Sequence, residues 1–287
     1  MQQTAAPYFL LLYIYAMKRI FFLAAFLFLQ VIHCRAQELF AFTEPASNMP
    51  AGSISVRMGN YLMKENKTSA YNYRLVPEVM FGINKNFMLH TDAFFSNVSK
   101  NFNFEGGSVY AKYRFLSVDA VHSHFRMATY ARYSFNNSNI SAEEIDLYGR
   151  NSGYLAGLVS TQLLHKVALS QNLVFVHATN NGNDNKIPLA FSSNAINYSF
   201  SFGKLLLPEN YTDYRQTNLN FMLEFLGQTI TGNGKSYLDV APSLQFIFNS
   251  QARVDVGYRS QIIHSMQRNA SNIFVLRFEY LFFNAMK

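Results

Sequence analysis

The chain has no tryptophan, a single cysteine, and charged residues at only 14% of its 287 positions, against roughly 25% in an average soluble domain. After residue 36 it also lacks any apolar run near the ~18 residues that a membrane helix needs. Each absence excludes something. Cys34 falls in an expected leader, so the mature chain has no disulfide framework and no thiol chemistry. Without Trp, any interfacial aromatic girdle falls to the 18 Tyr and 28 Phe. Basic residues are scattered, with no basic run, no stacking-aromatic motif and no helix-turn-helix signal, so nucleic acid is not an expected partner. A phosphate loop, a dinucleotide fingerprint and a paired-carboxylate motif are all missing, and no cofactor is expected.

What is present is alternation. Hydrophobic residues make up 49% of the chain, yet its mean hydropathy is near zero because they are dispersed. From Ser53 to Phe283, twelve segments set apolar groups on one side and polar or charged groups on the other. In the last, Phe274, Leu276, Phe278, Tyr280 and Phe282 oppose Arg277 and Glu279; in the fifth, Phe125, Met127, Ala131, Tyr133 and Phe135 oppose His124, Arg126, Tyr130 and Arg132. Period two is the period of a strand, and alternating segments of about ten residues are the signature of a membrane barrel. The connections fall into two classes. Ile83–Asn86, Ser117–Ser123, His165–Lys166, Leu207–Arg215 and Ser250–Gln251 are mostly short. Met63–Asn72, Asn97–Phe104, Asn136–Ser152, Asn180–Ser193, Thr229–Lys235 and His264–Ser271 are generally longer and rich in Asn, Ser and Gly. Short periplasmic turns and longer external loops characterise the transmembrane barrel. The expected fold is therefore all-β, a transmembrane antiparallel up-and-down β-barrel of about 12 strands, or ten to fourteen if a hairpin is misassigned. Segments six and seven, Gly153–Leu164 and Val167–Thr179, alternate less cleanly.

The N-terminus reads as an export signal over residues 1–36. Met17-Lys18-Arg19 is a positive n-region, Ile20–Ile32 an apolar h-region, and Cys34-Arg35-Ala36 a small-x-small cleavage site. Residues 1–16 precede an ordinary signal and point to a start at Met17. Lys18, Arg19 and Arg35 leave with the leader, so 21 of the 24 basic residues remain against 17 acidic ones, a net charge of +4. Residues 37–52 are expected to be a short periplasmic lead, too small for a plug domain, and 53–287 the outer-membrane barrel.

A charge facing lipid at mid-depth costs about 2–4 kcal/mol for Arg or Lys, so the charged face is assigned to the lumen. It carries Arg57, Arg74, Glu78, Asp92, Lys112, Arg114, Arg126, Arg132, Glu224, Asp239, Arg253, Asp255, Arg259, Arg277 and Glu279. Such a lining orients and selects small polar solutes, and its surplus of Arg favours anions such as carboxylates or phosphorylated sugars. Expected partners are outer-membrane lipids, the barrel-assembly machinery and small polar solutes. A second reading has the same Arg–carboxylate pairs cross-bracing a closed lumen, or a barrel whose long loops serve surface recognition. A third, an outer-membrane lipid hydrolase, needs a Ser or Thr nucleophile, a His and an orienting Asn or Asp; His177 with Thr179 and Asn180 is its candidate group. No catalytic residue is assigned, and the chain is read as a non-enzyme. The pairs His122/His124 and Met88/His90 lack a third ligand, so no metal site is assigned.

Three stretches carry a resemblance: Leu39-Phe40-Ala41-Phe42-Thr43-Glu44-Pro45-Ala46-Ser47-Asn48-Met49-Pro50; Phe202-Gly203-Lys204-Leu205-Leu206-Leu207-Pro208 with Tyr211-Thr212-Asp213-Tyr214; and Ala241-Pro242-Ser243-Leu244-Gln245-Phe246-Ile247-Phe248-Asn249. The mature chain resembles a group of uncharacterised outer-membrane barrels of Bacteroidota that are transporter- or porin-like. The resemblance implies an exported surface protein of a Gram-negative cell. It brings no substrate and no functional residues.

Overall fold

The computed structural model describes residues 40–65, 70–98, 101–120, 123–209, 213 and 215–286. The expected leader lies outside the described residues. Twelve strands follow in order: β1 (Ser53–Glu65), β2 (Tyr71–Gly82), β3 (Phe87–Ser96), β4 (Asn103–Ala120), β5 (Ser123–Asn136), β6 (Ser152–Leu164), β7 (Val167–Thr179), β8 (Asn194–Leu207), β9 (Asn218–Ile230), β10 (Ser236–Phe248), β11 (Ala252–His264) and β12 (Ala270–Phe282). Each pairs antiparallel with its neighbours in sequence, and β1 pairs with β12, so the sheet closes. Closure leaves no unpaired edge, the requirement for strands surrounded by lipid.

Alternation translates into two faces. On β12 the outward Phe274, Phe278, Tyr280 and Phe282 are exposed while Val275 and Arg277 are buried. On β5, Tyr133 and Phe135 are exposed and Arg126, Arg132 and Ser134 are buried. A closed wall with large apolar side chains on its outside is solvated by lipid rather than by water. Tyr73, Phe95, Phe102, Phe104 and Phe135 make a run of ring contacts, with centroids 5.4–6.4 Å apart, at one end of β2–β5. This supplies the Trp-free part of a girdle.

The barrel has a near rim, where β1 begins and β12 ends, and a far rim. Near-rim turns other than 208–217 are tight. Asn249 and Ser250 both have positive φ (50° and 56°), and Gln251 N donates to Phe248 O at 3.0 Å, the geometry whose twist matches a hairpin. At the next turn the Asn84 side chain accepts from the amides of Asn86 and Phe87. One expected connection, Ser117–Ser123, is largely strand: β4 runs on to Ala120 and β5 starts at Ser123. Strands also extend into several expected far-rim loops, so residues 66–70, 231–235 and 265–269 are shorter than the near-rim segment 208–217. The length asymmetry therefore rests on residues 137–151 and 180–193.

The main apolar cluster lies inside the barrel. It joins Tyr110, Tyr130, Leu155, Val159, Val174 and Val176 of the wall to Ala46 of the lead and to Ile145 and Leu147 of the loop after β5. This explains the poor alternation of β6 and β7. Their inner faces are apolar because protein, not water, covers them.

Candidate functional site: a lumen entered from both ends

Most lumen charges pair along the wall rather than across it. Arg57 of β1 reaches Glu78 of β2 at 2.9 Å and Glu279 of β12 at 2.8 Å. Glu279 also takes Arg253 of β11, and Asp255 of β11 takes Arg277 of β12 at 2.6 Å. Because β2, β1, β12 and β11 are consecutive around the barrel, this chain of charges follows its circumference. Asp239 of β10 similarly holds Arg259 of β11 at 2.6 Å and Arg268 of the β11–β12 loop at 2.7 Å. Asp92 of β3 and Arg132 of β5 form a pair that is 1% exposed on each side, with Ser108 of the intervening β4 bonded to both. Buried pairs of this kind gain little net stability but are costly to break singly.

Among the described residues, two segments of the chain itself cross the interior. The expectation of a periplasmic lead is corrected for its described part: residues 40–50 run inside the wall. Arg277 donates to the carbonyls of Phe40 (3.0 Å) and Ala41 (2.9 Å). Glu224 accepts the amides of Ala41 (2.9 Å) and Phe42 (3.0 Å). Asn172 donates to the Glu44 carbonyl at 3.1 Å, and Lys112 donates to the Pro45 carbonyl at 3.0 Å. Thr161 accepts the Ala46 amide at 2.9 Å, and Arg126 donates to the Ser47 hydroxyl at 3.1 Å. With the Thr43 hydroxyl 2.8 Å from that of Ser201 on β8, the lead touches every strand from β4 to β9 and also β12. Phe40, 2% exposed, packs on Ala168, Met222 and Leu163. Glycine is required opposite the lead: a Cβ on Gly257 would lie 2.9 Å from the Phe42 ring, and one on Gly82 would lie 2.2 Å from the Pro50 carbonyl.

From the far rim, residues 137–151 fold inward. The amide and carbonyl of Ile145 bond to the side chain of Gln228 of β9 at 3.0 and 2.9 Å. Glu143 pairs with Lys235 (2.6 Å), Glu144 with Arg268 (3.0 Å) and Asp146 with Arg74 (3.0 Å). Arg74 also donates to the Tyr148 carbonyl, and Arg132 donates to the Tyr148 hydroxyl, each at 2.5 Å. Burial acts to raise the Asp146 pKa, but Arg74 and the Tyr148 amide outweigh it and hold the carboxyl below its usual range. For Glu143 burial is likewise outweighed, by Lys235 and the Gln267 amide. Arg150 is pushed down to about 10 by burial, with Arg74 adding like-charge repulsion. The two segments meet where the Tyr148 hydroxyl lies 3.5 Å from Glu44.

Of the fifteen lumen residues named from sequence, twelve are buried. Arg259 and Glu279 are partly exposed, as is Arg114, which donates to the Lys85 carbonyl at the near rim. Sequence reasoning named only charges and so missed Thr161, Asn172, Ser201 and Gln228. These neutral polar residues occupy inward register positions, and that register is the signal that finds them. The other candidates separate. His90 sits 2.7 Å from Glu78 and stacks on Tyr110, while Met88 packs with Met49, Met80 and Leu281. His124 bonds Asp119, and His122 lies outside the described residues. His177 bonds Asn194 at 2.7 Å and stacks on the outward Tyr154. Among the described residues no group of three or more His, Cys, Asp or Glu could hold a metal ion.

No family model and no curated protein matches the chain. Solved structures do. A KdgM porin is 10% identical, with 79% of this chain and 98% of that one covered, at a TM-score of 0.49. A NanC porin is 9% identical with the same coverages and a TM-score of 0.46. The outer membrane protein OprD of Pseudomonas aeruginosa is 8% identical over 86% and 98%, with a TM-score of 0.38. At these values the assignment of the barrel rests on its own closed strand register.

Proposed function

We propose that this is an outer-membrane channel for small polar solutes, closed at rest by two segments of its own chain. The near rim is then periplasmic and the far rim, with its two long loops, extracellular. The observation that carries the reading is the direction of the ion pairs. Charges braced across the lumen would have to break for anything to pass; charges paired around the wall leave the axis to the lead and the 137–151 loop, which are held mainly by hydrogen bonds and rim ion pairs. With both displaced, Arg-rich walls remain, and guanidinium groups replace part of a solute's hydration during passive diffusion. This supports a mild anion preference, for carboxylates or phosphorylated sugars. Membership of a Bacteroidota family belongs to the same proposal and rests on the three motif stretches alone.

Reversal potentials of the purified protein in planar bilayers test the reading. Mild anion selectivity is expected, falling when Arg126, Arg132 and Arg259 are made neutral. The second reading, a permanently closed barrel, draws on the buried Asp92–Arg132 pair, which reaches past β4. It gains if a folded barrel stays silent after its closures are loosened. Turnover of phospholipid or lipopolysaccharide by wild type but not by His177→Ala would instead restore the hydrolase reading.

A further inference from the structure

The wall holds the lead through its main chain. From Phe40 to Ala46 the main-chain contacts fall on carbonyls 40, 41, 44 and 45 and on amides 41, 42 and 46, supplied by Arg277, Glu224, Asn172, Lys112 and Thr161. Among the described residues only Thr43, on Ser201, and Glu44, near Lys112 and Tyr148, add polar side-chain contacts. Glu224 spans two successive amides and Arg277 two successive carbonyls. Main-chain groups repeat in every peptide as fixed donors and fixed acceptors, whereas each hydroxyl of a sugar can play either role and an inorganic anion mainly accepts. Three of these wall groups are charged and at most 7% exposed. Glu224 accepts two backbone amides, while Arg277 divides its donors between Asp255 and the two carbonyls and Lys112 faces Glu44 as well as the Pro45 carbonyl. A surface that served only to seal the barrel needs apolar filler. Burying charges and aiming them at peptide groups is costly unless peptide is what they bind.

We infer that this track is a peptide-binding site and that short, extended peptides are the solute class of the channel, with the lead as a tethered occupant. The inference rests on the channel reading. Recognition is by backbone, so it tolerates varied side chains. One apolar side chain is favoured at the Phe40 position, where Ala168, Met222 and Leu163 form the receiving pocket.

The test severs the tether after assembly. A protease recognition sequence inserted after the exposed Ala51, before the half-buried Gly52, lets the full chain fold and insert before it is cut, which turns the lead into a free peptide. Exchange is followed with a fluorescent synthetic peptide of residues 39–50, and permeation with trialanine against glucuronate in proteoliposomes, the latter with Gln228→Leu added so that the 137–151 loop, held by Gln228 at Ile145, is freed as well. The expected result is saturable exchange, weakened about tenfold by Glu224→Gln, and passage of trialanine in preference to glucuronate that the synthetic peptide blocks. Departure of the lead with equal passage of both solutes overturns the peptide site and leaves the channel standing. A cut lead that never exchanges overturns the site as well. Departure with passage of neither solute overturns the channel reading along with it.

Discussion

The two segments inside the barrel are held by different chemistry. The lead offers neutral backbone to buried wall groups and brings one carboxylate, Glu44, 3.6 Å from Lys112. The 137–151 loop brings Glu143, Glu144 and Asp146 to Lys235, Arg268 and Arg74 near the rim. A closure built on carboxylates answers to pH, and to salt at Lys235–Glu143, where Lys235 is open to solvent, whereas Arg268–Glu144 is shielded from counterions. One built on buried hydrogen bonds and a packed aromatic answers to mutation of shape. The barrel thus has an outer closure sensitive to its medium and an inner one sensitive to what competes for its track.

The comparison can be sharpened from the strongest effect down. Phe40→Ala empties the lead's apolar pocket and costs about 3–5 kcal/mol of lead docking, with the loop unmoved. Because the chain has no tryptophan, quenching of a Phe42→Trp reporter against a Tyr148→Trp reporter reads the two segments separately. Gln228→Leu does the converse. It leaves the Ile145 amide and carbonyl unpartnered, at about 1–3 kcal/mol each, and exposes the reporter at 148 but not the one at 42. If either substitution releases both segments equally, the division between them is wrong.

Acid discriminates next. Docking lowers the pKa of Asp146 and Glu143, so the ionised forms are the ones that dock. Their contribution is complete above the ordinary carboxylate range near ~4 and is lost as pH falls through the lowered values. As pH falls below the ordinary carboxylate range the reporter at 148 should become quenchable while the one at 42 stays protected; the opposite order would reverse the assignment. The smallest effect is expected from Glu143→Gln. Its partner Lys235 is 42% exposed, and such pairs are worth under about 1 kcal/mol. The change should shift the reporter at 148 only slightly and should vanish in molar salt.

Much of the wall was legible in the sequence and little of what fills it. Strand faces follow from period-two alternation because a one-residue slip would turn Arg277 and Glu279 into lipid; the register has no cheap alternative. β3 and β7 match their expected bounds, and β4 and β5 run longer because extending a hairpin adds ladder bonds that turn-like residues such as Ser117 and Asp119 do not forbid. The lead was misplaced because two prolines and no alternation read as a linker, and nothing local shows that Phe40 and Phe42 have pockets waiting on β6–β9 and at Gly257. The mixed pattern of β6 and β7 held the clue: inward Val159, Val174 and Val176 require something apolar against them. Loop docking was hidden for a similar reason, since Gln228 reveals its role only once Ile145 is beside it.

The central claim is that the lumen is shut by removable chain and not by its own walls. Single-channel recording of the Phe40→Ala/Gln228→Leu double variant beside the wild type tests it most directly. Stepwise, mildly anion-selective currents in the variant and rare openings in the wild type are predicted. A folded, membrane-inserted variant that carries no current at any voltage would contradict the account.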